Sequence, residues 1–147
     1  MLSKRSLTSL IPARVLMQAS WAPLAVLLLH YVLSTIFGHE PHVDPAMHTL
    51  GGAAIALFVW QVAPAVEREL GVLTPMGRGL LAFALASTVA VVWEMGEFMK
   101  PLLQSGEIDR GLANTMRDLA CGMLGATFLV AVLVRGAFAR STVRSVV

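Results

Sequence analysis

The chain has 147 residues, 56% of them hydrophobic and 14% charged, with a formal net charge of +2. Soluble domains run to about 45–50% apolar and about 25% charged, and a fold this short buries too small a share of its surface to hide the surplus. These values exclude an ordinary soluble domain. They also exclude a nucleic-acid partner, because the basic residues stand singly near the ends of apolar runs and form no patch.

Roughly 20 mostly apolar residues cross a bilayer. Four stretches reach that length, so the expected fold is all-α, a bundle of four transmembrane helices. The whole chain, 1–147, forms one membrane domain with short basic tails at 1–14 and 135–147.

The first stretch, 15–37, starts at Val15 or Trp21 and ends at Phe37. Lys4 and Arg5 precede it as in a signal peptide, but the apolar run lies far from the N-terminus and no small-residue cleavage site follows it. It reads as an uncleaved signal anchor. His30 lies inside it beside Tyr31, where neighbouring groups can satisfy the ring, and Trp21 suits the membrane interface. His39 and His42 fall in a short polar loop.

The second stretch, 45–66, opens on Pro41 and the pair Asp44-Pro45, with Asp44 as N-cap and Pro45 at the first helical position. Pro64 kinks or ends it near a membrane face. Gly71, Pro75, Gly77 and Gly79 break the chain before the third stretch, 78–99. Pro101, Gly106 and Gly111 separate that stretch from the fourth, 115–134, whose opening Thr115-Met-Arg-Asp118 reads as a capping box. The lone Cys121 excludes an intramolecular disulfide and reads as a small packing residue.

Lys and Arg in short loops set orientation. Eight of them (Lys4, Arg5, Arg14, Arg68, Arg78, Arg135, Arg140 and Arg144) fall on one side, and Lys100, Arg110 and Arg117 on the other. Both termini are therefore expected in the cytoplasm of a bacterial inner membrane. The acidic residues show the opposite bias: Glu40, Asp44, Glu94, Glu97, Glu107, Asp109 and Asp118 gather at the outer side with His39, His42 and His48.

Helical spacing gives these groups a direction. Ala82, Ala86, Ala90 and Glu94 recur every four residues, with Glu97 one turn further on. His48 stands over Gly52 and Ala56, and Asp118 over Gly122 and Ala126, with Gly125 beside them. Small residues at this spacing mark close helix packing in membranes. Three helices thus each place a polar group at the outer end of a packing stripe, and the groups should converge. Asp44-x3-His48-x3-Gly52 and Asn114-x3-Asp118-x3-Gly122 also share one spacing, as two duplicated hairpins would.

Three readings of that cluster stand side by side. It can be a structural polar network, with Arg117 or Arg110 neutralising Glu94 or Glu97. It can be a ligand, lipid-headgroup or catalytic site, since ionisable groups at this depth are costly unless partnered. It can be a metal site, since His48, Glu94, Glu97 and Asp118 are suitable ligand types, although no tight zinc motif is present.

Asp44-Pro-Ala-Met-His48 followed by Gly51-Gly52, Trp93-Glu94-Met-Gly-Glu97-Phe98, and Asn114-Thr115-Met-Arg-Asp118-Leu119 followed by Gly125-Ala126 come in an order that resembles the VanZ-like and YjdF-like bacterial membrane proteins. The resemblance covers about Asp44 to Ala126. It implies a small helical inner-membrane protein associated with the cell envelope, and it supplies a site more readily than a reaction.

The function expected on these grounds is a periplasm-facing polar pocket that engages an envelope lipid or lipid-linked headgroup. His48, Glu94, Glu97 and Asp118 would form its catalytic or ligating core, with Asp44, Asn114 and Arg117 as binding residues. Glu94 or Glu97 is the candidate general base if a reaction occurs, and no cofactor can be read from these residues. The alternative is a non-catalytic accessory subunit whose small-residue stripes serve partner helices, in a larger complex or a homo-oligomer.

Overall fold

The computed structural model describes residues 11–37, 43–105 and 112–144, and all regular structure among them is helical. In chain order the helices are α1 (Ala13–Ala19), α2 (Trp21–Phe37), α3 (Val43–Leu70), α4 (Pro75–Ser105) and α5 (Leu112–Arg144). Among the described residues, three segments are long and apolar enough to cross a membrane: Val43–Glu67, Pro75–Met99 and Ala113–Arg140. The pair α1 and α2, bent by 45°, makes a fourth if it is counted as one span. Expectations for Lys4, Arg5, His39, Glu40, Pro41, His42, Gly106, Glu107, Asp109, Arg110 and Gly111 lie outside the described residues.

The first stretch breaks at Ser20 instead of running straight. Pro23 is the cause: it has no N–H for the Ala19 carbonyl, and its ring crowds that carbonyl. Backbone bonds resume on either side, from Ser20 N to Leu16 O at 2.9 Å and from Leu24 N to Ser20 O at 3.1 Å.

The other helices outrun the expected boundaries. Val43 already begins α3, so Asp44 is an acidic residue of the first turn and not the N-cap. Pro45 is tolerated there because first-turn N–H groups have no partner within the helix. α3 also continues through Pro64 to Leu70, and α4 through Pro101 to Ser105.

Of the four punctuating residues before α4, Gly71 and Pro75 act as expected. Gly71 has φ +83°, the left-handed backbone that ends a helix. Pro75 opens α4, where the Gly77 N–H donates to Thr74 Oγ1 at 3.1 Å. Gly77 and Gly79 lie within α4. A β-carbon on Gly79 would sit 2.8 Å from Val134 Cγ2, so that glycine seats α4 against α5.

Packing follows the small-residue stripes. α3, α4 and α5 form a three-helix core, and α2 lies chiefly against α3. Ala56, Ala86 and Ala126, one from each core helix, are all but fully buried together, flanked by Ile55, Phe83, Leu129 and Val130. α3 and α5 run parallel and interlock through backbone: a β-carbon on Gly52 would overlap the Gly122 carbonyl oxygen, and one on Gly125 would overlap the Thr49 carbonyl oxygen. Dispersion at such close approach is what holds membrane helices together, since lipid gives no hydrophobic drive between them.

At the end of the bundle near the α3–α4 turn, Arg78 Nη2 donates to Glu67 Oε1 at 2.6 Å. The guanidinium lies 5.3 Å from the Trp60 ring centre. This ion pair fixes the turn and places no charge near the cluster at the other end.

Candidate functional site

The stripes bring their polar ends together. Glu94 is 4% exposed and Asp118 0% exposed, the two buried ionisable side chains among the described residues. His48 from α3 reaches Glu94 from α4, with 3.2 Å between Nδ1 and Oε1. On its other edge, His48 Nε2 lies 3.5 Å from Asp44 Oδ1, one turn earlier on α3.

Two overlapping groups result. One ligating atom each from His48, Glu94 and Glu97 lie within 4.8 Å of one another, and so do one each from Asp44, His48 and Asp118. His48 is the shared member. Asp44, His48, Glu94, Glu97 and Asp118, drawn from the ends of three helices, therefore share one constellation.

Asp118 is held differently from the expected capping box. α5 begins at Leu112, so Thr115 lies inside the helix and cannot cap it. Instead Asn114 Nδ2 donates to Asp118 Oδ2 at 2.8 Å and Arg117 Nε donates to Asp118 Oδ1 at 3.1 Å. Arg117 also donates from Nη2 to Asn114 Oδ1 at 2.6 Å, closing a triangle. Charge-assisted bonds to both oxygens compensate a fully buried carboxylate. The counter-charge expected of Arg117 is thus directed at Asp118; no contact between Arg117 and Glu94 is part of this network.

Glu94 and His48 are not compensated in the same way. Glu94 Oε1 and His48 Nε2 have no hydrogen-bond partner among the described residues, because neither of the His48 approaches has hydrogen-bond geometry. Buried polar atoms are rarely left so.

An apolar cavity of about 280 Å³ adjoins the cluster, between α2 and the faces of α3 and α4. His48 is at one end, and Val26, Leu27, Ile55 and Val89 make much of its wall. His30 and Trp93 also line it, and their rings meet edge to face at 6.3 Å between centres. The edge contact packs the His30 ring against α4. Trp93 is 43% exposed, so it lines the cavity from the rim of the bundle.

Sequence reasoning missed this cavity. The signal was present in the adjacent pair Gly51-Gly52: Gly52 is consumed by contact with α5, whereas a β-carbon on Gly51 would meet nothing within 4 Å. One glycine serves packing and its neighbour leaves space.

In comparison with known proteins, the family described as "Predicted membrane protein (DUF2238)" matches residues 8–138. The match shows a membrane-protein family and does not single out the VanZ-like or YjdF-like groups. No curated protein and no solved structure matches the chain.

Proposed function

The chain belongs to the DUF2238 family of predicted membrane proteins, and from that premise we propose that it binds an envelope lipid or lipid-linked molecule, tail in the apolar cavity and headgroup at the polar cluster. The observation that carries this reading is the position of His48, which lines the cavity and also belongs to the cluster. Its volume, about 280 Å³, is near the lower end of roughly 300–1,000 Å³ for small-ligand sites, which suits part of one chain. A lipid reaches such a cavity sideways from the bilayer, past α2.

The surplus of carboxylates favours a headgroup rich in hydroxyl or amine donors over a bare phosphate. The Lys and Arg bias supports cytoplasmic termini in a bacterial inner membrane, with the cluster at the periplasmic face. The resemblance to VanZ-like and YjdF-like proteins agrees with an envelope role.

The test is the lipid that stays with the purified chain, quantified by mass spectrometry for wild type and Gly51→Leu. Leucine at 51 fills open space in the cavity wall. A specific lipid retained by wild type and lost from the variant is the expected result. Equal lipid content in the two proteins refutes the reading.

A further inference from the structure

We infer that His48, Glu94 and Glu97 bind a divalent cation of the zinc class, with Asp44 orienting the imidazole from its far nitrogen. The inference rests on the geometry of the cluster alone and does not depend on lipid binding.

Spacing is the first argument. Zinc sits about 2.0–2.2 Å from histidine nitrogen and carboxylate oxygen in tetrahedral sites, which places two ligand atoms roughly 3.3–3.5 Å apart. His48 Nδ1 and Glu94 Oε1 are 3.2 Å apart. With Glu97, the three ligating atoms fit within 4.8 Å, so modest rotation of one side chain closes the set.

The second argument is the unmet valence at that point. Glu94 is 4% exposed, yet its Oε1 has no hydrogen-bond partner among the described residues. It comes within 3.2 Å of an imidazole nitrogen without hydrogen-bond geometry, as two ligands of one ion do. A buried carboxylate oxygen left without a hydrogen bond is expensive, and a cation between the two atoms removes the cost.

The third argument is the histidine's other edge. Ligating histidines usually present their second ring nitrogen to a carboxylate, which fixes the ring. Asp44 Oδ1 is 3.5 Å from His48 Nε2 on the same helix face; the approach is outside hydrogen-bond geometry, and a small turn of the imidazole onto the ion closes it.

The alternative set, Asp44, His48 and Asp118, is weaker because both Asp118 oxygens already accept hydrogen bonds, from Asn114 and Arg117. One nitrogen with two carboxylates favours zinc, manganese or iron over calcium and magnesium, which take oxygen ligands. Three protein ligands leave a coordination position open, as in zinc sites that polarise a substrate oxygen or water.

The experiment is calorimetric titration of zinc chloride into the full chain, purified in mild detergent and treated with chelator. Cobalt substitution supplies an absorption spectrum as a second readout. One zinc per chain is expected, with tetrahedral cobalt bands that zinc displaces.

Glu94→Gln and His48→Gln should each weaken zinc binding by more than about 100-fold, and Asp44→Asn by about 10–100-fold. Asp118→Asn, which tests the alternative set, should lose less than any of these, and Arg78→Gln at the opposite end should match wild type. Gel filtration and helix content must match wild type for each comparison. Where Glu94→Gln does not fold, Glu97→Gln takes its place, with the same loss expected. Absence of stoichiometric zinc and cobalt uptake by folded wild type overturns the inference. So does wild-type affinity in the His48 and glutamate variants, and a loss confined to Asp118→Asn overturns this ligand set in favour of the alternative.

Discussion

Two adjacent glycines in α3 should respond in opposite directions to the same methyl group. At Gly52 a β-carbon overlaps the Gly122 carbonyl oxygen and lies 2.7 Å from its carbonyl carbon, so α3 and α5 must separate. Ordinary carbon contacts need roughly 3.5–4.0 Å, so the two backbones must part by about 1 Å. Overpacking of this kind costs about 1–3 kcal/mol, against which alanine regains about 0.5–1 kcal/mol over glycine inside a helix. The atoms met are backbone and cannot swing aside, so the upper part of that cost applies, and Gly52→Ala should destabilise the bundle by about 1–2.5 kcal/mol. Gly51→Ala meets nothing within 4 Å and should be neutral or slightly stabilising.

The separation at Gly52 should also spread to the cluster, because His48 and Asp118 each stand one helical turn from the contact. Thermal unfolding in detergent, followed by tryptophan fluorescence, measures the two variants side by side. Equal midpoints for Gly52→Ala, Gly51→Ala and wild type would refute the interlocked α3–α5 packing.

Further outcomes follow from other contacts. Asp118→Ala leaves Asn114 without its carboxylate acceptor, and should cost about 1–3 kcal/mol in the same unfolding assay; Asp118→Asn should cost less. Arg78→Gln breaks the Glu67 pair at the opposite end and should lower stability by about 1–2 kcal/mol, while zinc affinity stays at the wild-type value. A C-terminal fusion to a reporter active only in the cytoplasm should be active, and one to a reporter active only in the periplasm should be silent; the opposite pair of results would reverse the orientation drawn from the basic residues.

The helical membrane architecture was legible because apolar length is a direct physical requirement of a bilayer. The packing faces were legible for a related reason: Ala56, Ala86 and Ala126 could be aligned by spacing, and the structure buries all three together. Convergence of His48 with Glu94 followed from extending those stripes outward.

Helix ends were less legible. Asp44, Thr115, Pro64 and Pro101 carry local signals for caps and breaks, yet α3, α4 and α5 run past them. In a membrane protein neighbouring helices satisfy the backbone that such residues disturb. Pro23 was passed over although it breaks the first stretch, because apolar length alone hides an interior bend. The cavity could not be read at all, since it depends on α2 lying against α3 and leaving room before α4.

The most direct test of lipid engagement is photo-crosslinking in intact membranes, with a benzophenone amino acid at Val89 in the cavity wall. Leu124, 66% exposed and outside the cavity lining, serves as the control position. The account predicts one lipid species enriched at position 89 over the bulk lipids captured at position 124. Identical bulk lipid at both positions, or a protein partner captured at position 89, would contradict it.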